Sequence, residues 1–194
     1  MTAATQDGGS AKAPAKTIVL VGLMGAGKSC IGKRMAHRLG LPFIDADQAI
    51  EQAAGCSISE IFERHGEGNF RDGERRVIAR LLEGPPHVLA TGGGAFMDPR
   101  TRALIREKAI SVWLRADLDL LMRRVARRND RPLLQVPEPR QKLAELMAER
   151  YPVYAEADVT VDSTDGPPEA TLERVVQSLD AFFAARPTHQ RAAS

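Results

Sequence analysis

Short apolar runs alternate with amphipathic stretches along the chain, and this alternation predicts its secondary structure. Runs rich in Val, Ile and Leu are typical of strands that are buried on both faces of a parallel sheet. Five such runs lie at 17–21, 43–44, 88–91, 109–114 and 159–162. Apolar residues at helical spacing predict one helix that ends at Gly40, one that opens at the capping box 57–60, and others at 69–82, 99–108, 117–128, 141–156 and 169–185. The pattern therefore predicts an α/β fold, with a five-stranded parallel sheet flanked by helices on both faces.

The length of 194 residues is sufficient for one domain with a substantial core. No internal repeat and no linker divides the chain, so we expect a single domain over residues 17–186. The segments 1–16 and 187–194 are polar or rich in small residues, and we expect them to be disordered tails.

Composition narrows the function classes. Charged residues make up 27% of the chain but the formal net charge is only +2, which argues against a general nucleic-acid or membrane-surface binder and leaves a local basic site open. Cys30 and Cys56 are too few for a disulfide framework. No apolar run approaches the ~20 residues of a membrane span, and the N-terminus lacks the apolar core of a signal peptide. We expect a cytoplasmic protein with free thiols, and a monomer, because nothing in the sequence requires a partner.

Residues 22–29, GLMGAGKS, fit the phosphate-binding loop motif G-x-x-x-x-G-K-[ST] between a predicted strand and a predicted helix. Glycines let the backbone approach an anion closely, and the loop N–H groups and the helix N-terminus then face the phosphates. Lys28 is expected to bridge the β- and γ-phosphates, and the Ser29 hydroxyl to bind Mg²⁺. The predicted ATP-binding residues of this segment are Gly25, Ala26, Gly27, Lys28, Ser29 and Cys30.

Asp45 and Asp47 follow the second predicted strand. In open α/β sheets ligands bind at the carboxyl ends of the strands, and residues two apart on an extended chain point the same way. Both carboxylates are thus candidates for one cleft. The alternative is a pair of solvated aspartates, one of which caps the following helix.

Two further patterns have a plain and a functional interpretation. Arg71 and Glu74 share a helical face, which by spacing alone favours a surface ion pair. Gly92, Gly93 and Gly94 follow the third predicted strand and permit a ligand to approach bare backbone, although a flexible turn has the same composition.

Arginines crowd the end of the helix at 117–128 and the loop behind it. They are Arg123, Arg124, Arg127, Arg128 and Arg131. Cations commonly complement a helix C-terminus, and a nucleic-acid stripe is a second interpretation, although no aromatic residues interleave with these arginines. The proline-containing loop 129–139 interrupts regular structure, so the region 124–139 is expected to form a mobile lid over the phosphates.

Missing motifs narrow the class of phosphate-loop protein. The chain contains no N-K-x-D run, which weakens a GTPase interpretation, and no L-S-G-G-Q signature of transporter ATPases. The remaining class is a kinase of a small substrate.

Motifs beyond the phosphate loop resemble those of the shikimate kinase family in order and approximate spacing, over about residues 17–182. The matching segments are GLMGAGKS at 22–29, FIDAD at 43–47, IE at 50–51, GCSISEIF at 55–62, GE at 66–67, FR at 70–71, Glu74, TGGG at 91–94, RPLL at 131–134, Arg150 and PVY at 152–154. The resemblance implies a P-loop kinase fold with a lid. It also implies transfer of the ATP γ-phosphate to the 3-hydroxyl of shikimate, giving shikimate 3-phosphate and ADP.

The resemblance also implies roles for individual residues. Asp47 would bind the substrate hydroxyls and accept the proton of the attacking one, and Asp45 would hold Mg²⁺ with Ser29. Arg131 would reach the phosphates from the lid, and Arg124 and the loop 163–168 would lie near the adenine. The implied substrate-binding residues are Asp47, Arg71, Glu74, Gly92, Gly93, Gly94 and Arg150, with the two arginines on the carboxylate.

One residue departs from this family pattern. Many members carry Thr after the loop serine, where this chain has Cys30. A thiol donates a weaker hydrogen bond than a hydroxyl, so we expect weaker nucleotide binding than with Thr. Two other function classes stay open: a kinase of another sugar acid, such as a gluconate-type kinase, and an arginine-rich nucleic-acid-binding protein without catalysis.

Overall fold

The computed structural model describes residues 15–126 and 137–185. Most of the predicted N-terminal tail, the predicted C-terminal tail and most of the predicted lid lie outside these residues, and so does Arg131.

Five strands form one sheet in which all neighbouring strands are parallel, in the order β2-β3-β1-β4-β5. The strands are β1 Thr17–Val21, β2 Phe43–Asp45, β3 Val88–Ala90, β4 Ala109–Arg115 and β5 Val159–Asp162. All five residues of β1 are buried, and their β-branched and leucine side chains suit a strand covered on both faces. The predicted five-stranded parallel sheet is confirmed.

Helices cover both faces of the sheet. They are α1 Lys28–Leu39, α2 Ala46–Ala54, α3 Ile58–Leu82, α4 Pro99–Lys108, α5 Leu118–Val125, α6 Pro139–Tyr154 and α7 Pro168–Ala185, with a 3-10 turn at Ala95–Met97. On one face α1 and α7 pack against each other, and on the other α3 packs against α4. This division follows from right-handed crossovers that run in opposite directions along the sheet. Among the described residues, no helix is both long and apolar enough to cross a membrane.

The helices differ from the sequence prediction at three places. The sequence offers the short helix α2 only as an alternative, without a range. It begins directly at the end of β2, where the Asp45 side chain caps it by accepting a hydrogen bond from the Asp47 N–H. The helices predicted to open at Ser57 and to span 69–82 form one run, kinked at Gly66, whose φ of 74° is left-handed. The 3-10 turn at Ala95–Met97 was also not predicted.

The register of the sheet brings three loops to one edge. Ala90 of β3 lies between Leu20 of β1 and Asp45 of β2, so these three strands end level. The phosphate loop, the start of α2 and the glycines at 92–94 therefore leave the sheet side by side. This edge is where the site forms.

Helix α1 lies very close to the sheet at Gly32. A Cβ at this position would lie 2.6 Å from Cε2 of Phe43 and 3.1 Å from Cδ1 of Leu20. In contrast, Gly68 is exposed in α3, and a Cβ there would have no neighbouring heavy atom within 4 Å.

We predict that Gly32→Ala lowers the free energy of unfolding by about 1–3 kcal/mol, because a methyl group would force the ring of Phe43 to move. The matched change Gly68→Ala should raise this free energy by about 0.5–1 kcal/mol, because alanine favours a helix. Urea denaturation of both variants measures the two changes. Equal effects of the two substitutions would contradict the close packing of α1.

Candidate active site

A cavity of about 1100 Å³ opens at the level edge of the sheet. The predicted site residues that line it are Gly25, Gly27, Lys28, Ser29, Cys30, Asp45, Asp47, Arg71, Glu74, Gly92, Gly93, Gly94, Arg124 and Arg150. Of the predicted site residues, Ala26 is buried in the core and Arg131 lies outside the described residues. The phosphate loop forms one side of the cavity, and the glycines after β3 form another.

The phosphate loop is held tightly between β1 and its neighbours. Gly22 has a φ of 140°, and a Cβ there would lie 2.7 Å from the carbonyl oxygen of Leu114 in β4, so only glycine fits. Lys28 donates from Nζ to the carbonyl oxygens of Gly22 and Leu23 at 2.8 and 3.0 Å. The lysine therefore folds back over its own loop.

Ser29 and Asp45 bring two oxygen groups together next to this loop. The Ser29 hydroxyl donates to Oδ2 of Asp45 at 2.8 Å, and Oδ1 of Asp45 accepts from the Asp47 N–H at 3.1 Å. Asp45 thus caps α2, as one of the two interpretations of the sequence held, and also faces the phosphate loop. A hydroxyl and a carboxylate are oxygen ligands of the kind that Mg²⁺ prefers beside substrate phosphates.

Two carboxylates converge on Gly92. A Cβ at Gly92 would lie 2.8 Å from Oδ1 of Asp47 and 3.0 Å from Oε1 of Glu74. Glu74 is buried, and its Oε1 has no hydrogen-bond partner within the described part of the chain. Burial raises the pKa of Glu74, the ion pair with Arg71 opposes this rise, and the charge of Asp47 adds to it. Glu74 therefore has unused hydrogen-bonding capacity at a buried position.

Arg71 is fixed from several sides over Gly94. It donates to Glu74 Oε2 at 2.7 Å and to Glu67 Oε1 at 3.2 Å, and its guanidinium carbon lies 5.1 Å from the ring centre of Phe70. A Cβ at Gly94 would lie only 2.4 Å from Nη2 of Arg71. The Arg71–Glu74 pair is not the surface pair that spacing alone favoured, because the Glu74 side chain is only 4% exposed.

Arg150 approaches the same glycines from α6. It is buried, its Nη1 lies 3.4 Å from the position of a Cβ on Gly93, and its Nε has no hydrogen-bond partner among the described residues. Each of the three glycines therefore faces a charged group: carboxylates at Gly92, and one guanidinium each at Gly93 and Gly94. Two guanidiniums beside two carboxylates can bind a small molecule that carries both an anionic group and hydroxyls.

Arg124 joins the phosphate loop to the loop behind β5. Its Nη1 donates to the Gly25 carbonyl oxygen at 3.2 Å and to Ser163 Oγ at 2.9 Å, and its Nη2 donates to the Thr164 carbonyl oxygen at 2.7 Å. Arg123 pairs with Asp165 at 3.0 Å. Both arginines therefore bind groups of the protein itself, which disfavours the nucleic-acid stripe at these two positions.

Glu67 and Phe70, which hold Arg71, have no role that the sequence alone indicates. Glu67 stands four residues before Arg71 on the same helix. This spacing is the signal that would have identified Glu67, since residues four apart share a helical face. The stacking of Arg71 on Phe70 has no comparable signal, because neighbouring residues on a helix do not face each other by default.

Cys30 stands at the first turn of α1 and lines the cavity. Its Sγ accepts a hydrogen bond from Arg34 Nη1 at 3.0 Å, and Arg34 also pairs with Glu169 of α7 at 3.0 Å. Both Cys30 and Cys56 are free thiols. A thiol therefore occupies the position after Ser29 at which many members of the family carry the hydroxyl of Thr.

Comparison with known proteins gives a consistent family. A family model described as Shikimate kinase matches residues 24–180. A curated protein named Shikimate kinase from Paramagnetospirillum magneticum is 60% identical over 168 residues, which cover 87% of this chain and 86% of that protein.

Solved structures agree at the level of the fold. A shikimate kinase from Acinetobacter baumannii, solved in complex with shikimate, has a TM-score of 0.83 and 38% identity, and the match covers 87% of this chain and 95% of that one. A gluconokinase from Sinorhizobium meliloti 1021 has a TM-score of 0.58 and 20% identity over 89% of this chain and 98% of that one. The second likeness concerns the fold alone.

We predict that Cys30→Thr strengthens binding of a nonhydrolysable ATP analogue by about two- to tenfold, because a hydroxyl donates a stronger hydrogen bond to a phosphate than a thiol does. Cys30→Val is the matched control, since it has the shape of Thr without the hydroxyl. Isothermal titration calorimetry measures both dissociation constants. If both variants behave as the parent protein does, the expectation for Cys30 is wrong.

Proposed function

The chain belongs to the shikimate kinase family, and we propose that it transfers the γ-phosphate of ATP to the 3-hydroxyl of shikimate. The products are shikimate 3-phosphate and ADP, a step of aromatic amino acid (chorismate) biosynthesis. The observation that carries the proposal is the grouping of Arg71, Arg150, Asp47 and Glu74 around the glycines at 92–94, in the same cavity as the phosphate loop.

The donor half of the site is the phosphate loop with its supporting residues. Backbone groups of residues 25–30 and the ammonium of Lys28 bind the phosphates. Arg124 and the loop 163–168 lie beside the nucleoside, and Arg131 comes to the phosphates from the lid. The contacts of Arg124 with Gly25 and Ser163 support its place at this end of the cavity.

Ser29 and Asp45 are the residues that would hold Mg²⁺. The distance of 2.8 Å between the Ser29 hydroxyl and Asp45 Oδ2 supports this, because two oxygens this close together can serve as ligands of the same cation. When bound, the metal would supply positive charge that offsets the negative charge of the transferred phosphoryl group.

The acceptor half binds a hydroxylated carboxylic acid. Arg71 and Arg150 bind the carboxylate, since a guanidinium can donate two parallel hydrogen bonds to it. Asp47 accepts hydrogen bonds from the hydroxyls, Glu74 orients Arg71, and the backbone at Gly92–Gly94 lets the ring approach. The close packing of Arg71 on Gly94 and of Asp47 on Gly92 supports this arrangement, because a side chain at either glycine would displace a charged group.

Positioning and electrostatic stabilisation account for the transfer itself. The 3-hydroxyl oxygen forms a bond to the γ-phosphorus, the bond from that phosphorus to the bridging oxygen of ADP breaks, and the proton of the hydroxyl passes to Asp47. Lys28 and Arg131 offset the charge on the transferred group. Arrival of Arg131 only on lid closure limits attack by water.

We also propose that the protein is a cytoplasmic monomer. The free thiols Cys30 and Cys56 support a reducing compartment. Light scattering behind size-exclusion chromatography measures the mass in solution, and a mass of twice 21.1 kDa would contradict the monomer.

The reaction is tested by ADP release from ATP and Mg²⁺ across a panel of sugar acids. Shikimate should give the highest kcat/KM, and gluconate only background, whereas a gluconate-type kinase would show the reverse. Lys28→Ala should nearly abolish the shikimate-dependent rate. A wild-type rate that is independent of shikimate would overturn the proposed function.

We predict that Arg71→Ala and Arg150→Ala each raise the shikimate KM by about 10- to 100-fold, because each removes charge-assisted hydrogen bonds to the carboxylate. Arg131→Ala should mainly lower kcat. Arg75→Ala is the matched control for Arg71→Ala, since Arg75 lies on the same helix but pairs with Asp72 and Asp98. Steady-state kinetics with shikimate varied measure these effects. A lowered kcat at unchanged KM in Arg71→Ala would contradict the role assigned to that residue.

A further inference from the structure

Tyr154 ends helix α6 beneath the glycines of the acceptor half. Its side chain is fully buried, and its hydroxyl donates a hydrogen bond to the carbonyl oxygen of Gly93. Arg150, whose Nη1 lies against the same glycine, is one helical turn earlier on the same face of α6. Gly93 is therefore in contact with one helix through two side chains.

The core fixes the position of this hydroxyl. The ring of Tyr154 packs against Trp113 of β4, with ring centres 6.0 Å apart, and against Phe96, at 6.4 Å. Phe96 belongs to the 3-10 turn that follows the glycines. Tyr154 thus contacts the glycine segment by a hydrogen bond and contacts the turn behind it by its ring.

The hydroxyl keeps its proton. Burial raises the pKa of Tyr154 to about 12, against the opposing effect of the positive charge of Arg150. The phenol is therefore a neutral donor near neutral pH, and the carbonyl oxygen of Gly93 is its acceptor. Because a trans peptide group directs its N–H opposite to its C=O, this one bond also fixes the direction of the Gly94 N–H.

We propose that Tyr154 is a positioning residue for the acceptor half: it holds the Gly93–Gly94 peptide group in the orientation that the bound acid requires. This inference rests on the proposed function. Tyr154 does not touch the substrate itself. It acts through the backbone of Gly93 and through the neighbouring guanidinium of Arg150, so its loss weakens binding of the acid and leaves the nucleotide side unchanged.

The same helix provides a closely matched comparison in Tyr151. Its hydroxyl also donates to a backbone carbonyl oxygen, that of Ala116, and its ring also packs on Trp113, edge to face at 4.9 Å. Ala116, however, directly follows β4 and precedes α5, so it lies in a different loop from the glycines. The two tyrosines thus share chemistry, helix and aromatic neighbour, and differ in the loop that they hold.

The test compares Tyr154→Phe with Tyr151→Phe in the full chain. Each variant keeps the ring and loses one hydroxyl, and thermal denaturation of both gives the loss of stability. Steady-state ADP release is then measured with shikimate and with ATP varied in turn. Tyr154→Phe should raise the shikimate KM by about three- to tenfold, which corresponds to the loss of one hydrogen bond. The kcat and the ATP KM should stay within about twofold of the parent values. Tyr151→Phe should leave the shikimate KM unchanged.

Two results would overturn the inference. One is an unchanged shikimate KM in Tyr154→Phe while the wild type shows full shikimate-dependent activity, which leaves the proposed function standing. The other is an equal rise of the shikimate KM in both variants at equal loss of stability, which would mean that any hydroxyl lost from α6 has the same general effect. A wild type without shikimate-dependent activity would overturn the proposed function and this inference together.

Discussion

The site depends on one constraint, the parallel register of the three strands β2, β3 and β1. Asp45, Ala90 and Leu20 are neighbours across these strands, so the chain leaves the sheet at the same level three times. A slip of one residue in β2 would turn Asp45 to the opposite face, because side chains alternate along a strand. The phosphate loop, the capped start of α2 and the glycines would then no longer surround one cavity.

The charged groups at this edge explain why a hydroxylated acid suits the cavity. Buried polar atoms are normally hydrogen-bonded, since an unpaired one costs about 1–3 kcal/mol. Glu74 Oε1 and Arg150 Nε nevertheless have no partner in the described part of the chain. The carboxylate of Asp47 and the guanidinium of Arg71 lie beside the same glycines. A ligand with both hydroxyls and an anionic group can therefore form hydrogen bonds with the carboxylates and with the guanidiniums. An acid without hydroxyls would leave the carboxylates without partners, and an uncharged sugar would leave the guanidiniums without an anion.

The sequence was sufficient for the sheet and the phosphate loop, because each of these depends on a local pattern or motif, whereas the roles of the site residues stay predictions. It was insufficient where tertiary packing decides. Spacing placed Arg71 and Glu74 on one helical face, but their burial depends on Gly94 and Asp47, which approach from other elements. A helix after the two aspartates was only one of two interpretations, since Asp45 ends a strand and caps a helix at the same residue. The bond from Tyr154 to Gly93 joins residues far apart in the chain, and neither residue type indicates it.

The central claim is that the two halves of the cavity act on one acceptor hydroxyl. The most direct measurement is ³¹P NMR of the product formed from ATP and shikimate, with proton coupling to assign the phosphorylated carbon. The account predicts a single phosphate ester at the 3-hydroxyl, in equal amount to the ADP released. Inorganic phosphate in place of the ester, or an ester at another hydroxyl, would contradict it.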